Sequence, residues 1–446
     1  MAIHPIDFRY GTAEMRRIWS EEARFKAIIR AEVALAMAEA EVGLIPAEAA
    51  EAIALAAPKA TLRRANEIES EIHHDMMAVV KTLAEVAGPA GRFVHFGATS
   101  NDILDTATGL QLKDAFNCIE EKLKILLRIL IERSISTKTL VCAGRTHGQI
   151  GVPTTYGLRF AIWASEIGRH IIRLREIRPR VVVGQLTGAV GTQAAFGDEG
   201  MEVQAAMMRH LDIGAVDVSN QVIARDRYAE YFFLLANIAT TLDKIGIEIR
   251  SLQRTEIAEV EEAFTKKQVG SSTMPHKKNP IKSEQVGGLA RVIRSAVEPA
   301  LLNNTLWDER DLTNSSCERV IFPEATILCD HCLKVMAQAL DGLIIKPVNV
   351  RRNLSLLHGI NLAESVMIEL TRRGMDRQAA HEVIRSASMR ALEEERPLAE
   401  ILQELPGVTA LLSPAEINDA LQPEQYLGTS VQQVERVIKK LAPLTS

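Results

Sequence analysis

The sequence predicts an all-α protein made of three helical domains, the middle one a long helix bundle. Three observations carry that prediction. The 446 residues are 47% apolar but only 4% aromatic, and Ala, Leu, Ile, Glu and Arg, which lose little rotamer freedom in a helix, dominate. Two long stretches place apolar residues at helical spacing. Strand signals are scarce: Val181, Val182 and Val183, beside Gly184 and Gly188, read as one short hairpin.

At roughly 100–200 residues per domain, a chain of 446 residues is too long for one core. Residues 1–111 form the expected N-terminal domain, with shorter helices divided by Pro46, Pro58 and Pro89. Residues 112–364 form the expected central bundle. Its clearest stripe is Leu112, Ala115, Phe116, Ile119, Leu123, Leu126, Leu127 and Leu130, with Lys and Glu opposite. Ile238, Leu242, Ile245, Ile249 and Leu252 step by four and three, a bundle seam inside a helix predicted from about Arg225 to Phe264. Residues 365–446 form the expected C-terminal domain, with short helices broken at Gly374, Pro397, Pro406 and Pro414.

Composition narrows the function. Lys plus Arg is 52 against 57 for Asp plus Glu, a net charge of −5, which gives no attraction to nucleic acid or an anionic membrane. No apolar run approaches the ~20 residues of a membrane span; the nearest, 231–242, is bounded by Glu230 and Asp243. The opening MAIHPIDFRYGT lacks the basic-then-apolar pattern of a signal peptide. Five cysteines, an odd number, point to a reducing cytoplasm rather than a disulfide framework. Cys329, His331 and Cys332 lack a further ligand pair at metal-binding spacing, so buried helical cysteines are expected and no metal is.

Five polar segments, the first four bearing glycine, interrupt the helices: 91–102, 143–155, 184–200, 265–282 and 308–319. In VHFGATSNDILDTA, Ser100 or Asn101 is placed to cap the helix that follows and leave N–H groups free for a carboxylate or phosphate. His147, between Thr146 and Gly148, sits in a loop as a proton carrier would. GSSTMPHKKNP, Gly270 to Pro280, combines small residues, hydroxyls and the positive Lys277 and Lys278 but lacks the order of a phosphate-binding P-loop. Arg310, Ser315, Ser316 and Arg319 would make a fork for a phosphate or dicarboxylate. His73, His74 and Asp75 lie at a helix start, where Asp75 suits the helix dipole.

Taken together, these segments resemble the fumarase/aspartase superfamily over essentially the whole chain. GSSTMPHKKNP resembles its signature loop, and TSND and GRTHGQ follow in matching order. Within the superfamily the closest resemblance is to the adenylosuccinate lyase family. DFRYGTAEMRRIWS, HHDMMAVVKTLAE, NQVIARDRYAE and NSSCERV are each similar to that family's segments. Carboxymuconate cycloisomerases share MPHK, and argininosuccinate lyases usually carry glutamine where His276 stands, so Arg9-Tyr10 and Ser315 to Arg319 decide between them. Thr12 and His73 depart from the family's usual serine and Lys or Arg.

The resemblance implies β-elimination of fumarate from adenylosuccinate and from succinylaminoimidazole carboxamide ribotide, without metal or organic cofactor. It implies His147 as general acid and Ser271 as general base, with Ser272 the near alternative; Lys277 and Asn279 would hold the dicarboxylate. Thr99, Ser100 and Gln221 would bind the succinyl carboxylates and neighbouring groups. Arg310, Ser315 and Arg319, with Arg9 and Tyr10, would take the ribose-phosphate end. His73, His74 and Asp75 would orient phosphate and base, with His95 nearby, and Glu284 would order His147. A homotetramer with active sites shared between subunits is implied, as is a signature loop that closes over the succinyl group. Argininosuccinate lyase, carboxymuconate cycloisomerase and a non-catalytic helical scaffold are the alternatives.

Overall fold

The structure, a computed structural model, describes residues 4–264, 273–274 and 276–445. It is a helical fold with three small two-stranded pairings among the described residues. Contacts divide the chain into two units: Met1–Leu123, His170–Asp243 and Val286–Val335 in the first, Lys124–Arg169, Lys244–Gln285 and Met336–Ser446 in the second.

Local chemistry explains where the first unit's helices begin. The hydroxyl of Ser20 accepts from the Ala23 N–H and opens the Glu21–Glu41 helix, with Glu21 and Glu22 complementing its dipole. Thr61 does the same for Leu62–Ile72, and the His74 imidazole accepts from Met77 N–H to open Asp75–Ala87. The Thr12 hydroxyl both caps Ala13–Ile18 and donates to Asp330 at 2.7 Å, so the threonine at this position serves the fold. Alanines of Glu21–Glu41 (Ala27, Ala31, Ala34 and Ala38) are buried and let neighbouring helices approach closely.

The long helices follow the apolar stripes. The Ser100–Ser136 helix, 37 residues, spans roughly 55 Å at the α-helical rise. Every residue of the predicted stripe from Leu112 to Leu130 is buried. The seam residues Ile238, Leu242, Ile245, Ile249 and Leu252 are buried in the Asp226–Leu252 helix. Phe116, Tyr231 and Phe322 stack between the first unit's long helices, with ring centroids 5.3 and 6.2 Å apart. Cys329 and Cys332 are buried in the Thr313–Asp341 helix, as expected.

In the second unit, short helices from Ala363 onward enclose their own core of Val366, Leu370, Ile384, Leu398, Ile401, Leu402 and Ile417. The predicted breaks hold: Gly374 is left-handed, Pro397 precedes Leu398–Gln403, and Pro406 and Pro414 open helices at the position where a missing N–H costs nothing.

Three expectations need correction. The helix predicted to run to Phe264 ends at Leu252. Ala258 takes a left-handed conformation, and Val260–Glu261 turns back to pair with Ile344–Ile345, a partner too remote for periodicity to reveal. The 143–155 segment is not a loop but an antiparallel hairpin, Val141–Thr146 with Gln149–Thr155. Val183–Gly184 pairs in parallel with Gly214–Ala215 instead of forming a local hairpin.

Candidate active site

In the first unit a polar pocket of about 110 Å³ forms between Trp19, Arg24, Asn101, Arg310, Ser315 and Arg319. Beneath it lies a buried charge cluster. The Arg225 guanidinium donates to both oxygens of Asp105 at 2.6 and 2.9 Å and to Glu318 at 3.1 Å. Burial pushes the Glu318 carboxyl up, opposed by Arg225 and reinforced by Asp105. These carboxylates absorb the charge of Arg225. Among the described residues neither Arg24 nor Arg310 has an ion-pair partner, and burial lowers the pKa of both, aided by Arg319 beside Arg24. Trp19 Nε1, Arg310 Nε, Asn101 Oδ1 and Asn314 Oδ1 are buried without partners among the described residues. Orphaned donors and acceptors on the wall of one pocket, next to uncompensated cations, suit a polar anionic ligand.

The structure brings several sequence-predicted residues to this place. Arg319 donates to Asp75, the first residue of Asp75–Ala87. Burial raises the Asp75 carboxyl, but the Arg319 hydrogen bond, the Met76 N–H and nearby positive charge bring it below the usual range. Arg310 Nη1 donates to Gln221 Oε1 at 3.0 Å, and Gln221 Nε2 donates to the Ala189 carbonyl at 2.7 Å. Ser315 lines the same pocket. Others stand apart from it. Arg9 is exposed, and the Tyr10 ring packs 5.4 Å from that of His331. His73 closes the Leu62–Ile72 helix in a left-handed conformation and is exposed.

The TSND segment holds its shape through Asp102. The predicted cap at Ser100 or Asn101 is displaced: the helix begins at Ser100, and Asp102 reaches back to accept the Thr99 N–H at 2.9 Å. The same carboxylate accepts the N–H groups of Thr187 and Gly188. Burial nevertheless raises its pKa, with these N–H groups opposing. His95, also left-handed, places Nδ1 2.6 Å from Glu32 Oε1. Burial lowers the His95 pKa, but the hydrogen bond and charge of Glu32 outweigh it, leaving it raised.

In the second unit His147 stands at the tip of the Val141–Thr155 hairpin. Thr146 pairs with Gln149, and both residues between them have positive φ, 52° for His147 and 77° for Gly148. That is the pattern of a two-residue turn matched to strand twist, and histidine tolerates it better than most residues. Gly144 is required by packing: a Cβ there would lie 2.5 Å from the Val152 carbonyl oxygen. Glu284 is exposed on the first turn of Ile281–Ser295, and Lys277 is exposed just before it. Among the described residues the side chains of His147 and Glu284 have no hydrogen-bonding partner. Asn279 accepts the Ile281 N–H through its carbonyl at 2.9 Å. Ser271 and Ser272, and with them the expected base and loop closure, lie outside the described residues.

Sequence reasoning passed over Trp19, Arg24 and Asn314 and took Asn101 only as a candidate helix cap. None stands out by residue type, and only the pocket groups them. The hairpin had a readable signal in the His-Gly pair between two short runs.

Comparison with known proteins supplies the family. A family model described as lyase matches residues 7–295, and one described as adenylosuccinate lyase C-terminus matches residues 359–437. An adenylosuccinate lyase of Archaeoglobus fulgidus is 50% identical over 98% of each chain, and one of Pyrococcus horikoshii is 52% identical over 98% of each. The chain belongs to the adenylosuccinate lyase family. Its fold is that of the fumarase/aspartase superfamily. A 3-carboxy-cis,cis-muconate lactonizing enzyme structure from Pseudomonas putida superposes with a TM-score of 0.89 at 32% identity, covering 99% of both chains. Shared architecture therefore does not separate these enzymes, whereas the roughly 50% identity to adenylosuccinate lyases does. Members of the adenylosuccinate lyase family are carbon–nitrogen lyases that release fumarate, and no helix among this chain's described residues is long and apolar enough to cross a membrane.

Proposed function

We propose that this chain eliminates fumarate from adenylosuccinate, giving AMP, and from succinylaminoimidazole carboxamide ribotide. The observation that carries this reading is the first unit's pocket, where Arg310, Ser315 and Arg319 meet polar atoms that have no partner among the described residues. In the proposed step a base takes a proton from the carbon beside a succinyl carboxylate. Negative charge builds on that carboxylate, the carbon–nitrogen bond breaks, and an acid protonates the departing nitrogen. His147 is the proposed acid and Ser271 the proposed base, with Ser272 its alternative. Lys277 and Asn279 clamp the dicarboxylate, and Thr99, Ser100 and Gln221 bind its carboxylates and neighbouring groups. Arg310, Ser315 and Arg319 hold the ribose-phosphate end with Arg9 and Tyr10. His73, His74, Asp75 and His95 orient phosphate and base, and Glu284 orders His147. The step uses only protons and fixed charge.

The proposed assembly is a homotetramer with shared active sites. Exposed Ile125, Ile162, Phe233 and Ile247 on the long helices support it. Five cysteines without disulfides support a reducing, cytoplasmic setting.

The test offers adenylosuccinate, argininosuccinate and carboxymuconate side by side, reading fumarate release from the first two and loss of the conjugated diene absorbance from the third. Turnover of the first alone is expected, with His147→Ala abolishing it while the oligomer persists. Turnover only of one of the others would replace this reading with argininosuccinate lyase or cycloisomerase. The muconate arm is included because of the lactonizing-enzyme likeness.

A further inference from the structure

His147 is exposed at a two-residue turn, and its side chain has no hydrogen-bonding partner among the described residues. Before any other group reaches it, the strands that carry the turn fix where it points. Those strands converge on one carboxylate. Glu259, fully buried, accepts from Arg145 Nη2 at 2.6 Å, from the Tyr156 hydroxyl at 2.7 Å and from Asn353 Nδ2 at 3.0 Å. Arg145 lies two residues before His147 on the first strand, and Tyr156 directly follows the second. Glu259 is itself fixed at both backbone groups: its N–H donates to the Leu252 carbonyl at 2.9 Å and its carbonyl accepts from Lys346 N–H at 2.8 Å.

We propose that Glu259 is a positioning residue that sets the hairpin, and through Arg145 and Tyr156 the direction in which His147 presents its imidazole to the reacting nitrogen. The inference rests on the reading of His147 as acid. A buried carboxylate is a poor way to add stability, because desolvation offsets most of what its partners return. It is a good way to impose one geometry, since its lone pairs admit donors only in set directions. Arg145 has no second anchor: its Nη1 is buried without a partner among the described residues, so Glu259 alone sets the guanidinium. The adjoining Gly144 bulge, where Val152 presses on the first strand, makes the hairpin sensitive to any shift at its base.

The experiment compares purified full-length Glu259→Gln and Tyr156→Phe with wild type and His147→Ala. Expected for Glu259→Gln is a 30- to 100-fold fall in kcat for adenylosuccinate with KM within threefold, and about a tenfold fall for Tyr156→Phe. Both losses should shrink, in parallel with that of His147→Ala, on 2-fluoroadenylosuccinate, whose exocyclic nitrogen is less basic and needs its acid less. A purely structural role predicts a lower melting temperature with unchanged kcat per folded oligomer and no dependence on leaving group; that result overturns the proposal. Should Glu259→Gln fail to fold, Tyr156→Phe carries the same readouts. An active His147→Ala would sink the acid assignment instead, whereas a dead His147→Ala beside an unimpaired Glu259→Gln and Tyr156→Phe would sink only the positioning role.

Discussion

Arg319 donates to the carboxylate of Asp75, 244 residues away in the chain, and itself lines the pocket that holds Arg310 and Ser315. The contact turns the guanidinium toward the mouth of the Asp75–Ala87 helix. A charge-assisted hydrogen bond from that guanidinium to an anionic substrate group is worth about 1.5–3 kcal/mol. Arg319→Ala should therefore raise KM for adenylosuccinate roughly 10- to 100-fold with a smaller change in kcat, measured by steady-state fumarate release. Asp75→Asn should follow the same direction more weakly. An unchanged KM for Arg319→Ala would remove this residue from the substrate site.

The Arg225 cluster predicts a stability effect. With Asp105 and Arg225 both almost wholly buried, removing the cation leaves two carboxylates without compensation. Arg225→Leu should destabilise the folded chain by about 3–5 kcal/mol, read from denaturant unfolding. Little change would mean that water reaches Asp105.

Glu39 predicts a pH dependence. Burial, reinforced by the charge of Glu32, pushes its carboxyl up to about 9. In the unfolded chain the group loses its proton near its ordinary value of 4.5. Between those values the folded state holds a proton the unfolded state has released, so stability falls as pH rises. At pH 7 that amounts to about 3 kcal/mol. Glu39→Gln, which cannot ionise, should match wild type near pH 4.5 and exceed it increasingly toward pH 8. Parallel stability curves for the two proteins would show that Glu39 ionises in the fold.

The hairpin predicts a loss of activity without loss of helix. Gly144→Val drives a branched side chain against the Val152 carbonyl, 2.5 Å from where its Cβ would sit. We expect kcat to fall at least tenfold with an unchanged far-ultraviolet circular dichroism spectrum. Wild-type kcat in this variant would mean that the hairpin tolerates a shift of its strands.

Much of this fold was legible before any coordinates. The Leu112 to Leu130 stripe and the 238–252 seam are buried because helical periodicity is local: each residue's face follows from its neighbours three and four positions away. The helix breaks at Pro397, Pro406 and Pro414 are legible for the same reason, since proline acts on its own backbone. The motif residues around His147 and from Arg310 to Arg319 were legible as chemistry. The helix that stops at Leu252 was not, because the Val260–Glu261 strand finds its partner at Ile344–Ile345.

The sequence by itself determined a helical fold, because apolar spacing is a property of contiguous residues, and its short motifs carried the resemblance to a family of fumarate-releasing lyases. Only the tertiary structure decided that Arg319 meets Asp75, that Trp19, Asn101 and Asn314 line one pocket with atoms unpaired among the described residues, and that Glu259 gathers Arg145, Tyr156 and Asn353. A buried polar group must find its partner wherever the fold brings one, and that distance is measured in space, not along the chain.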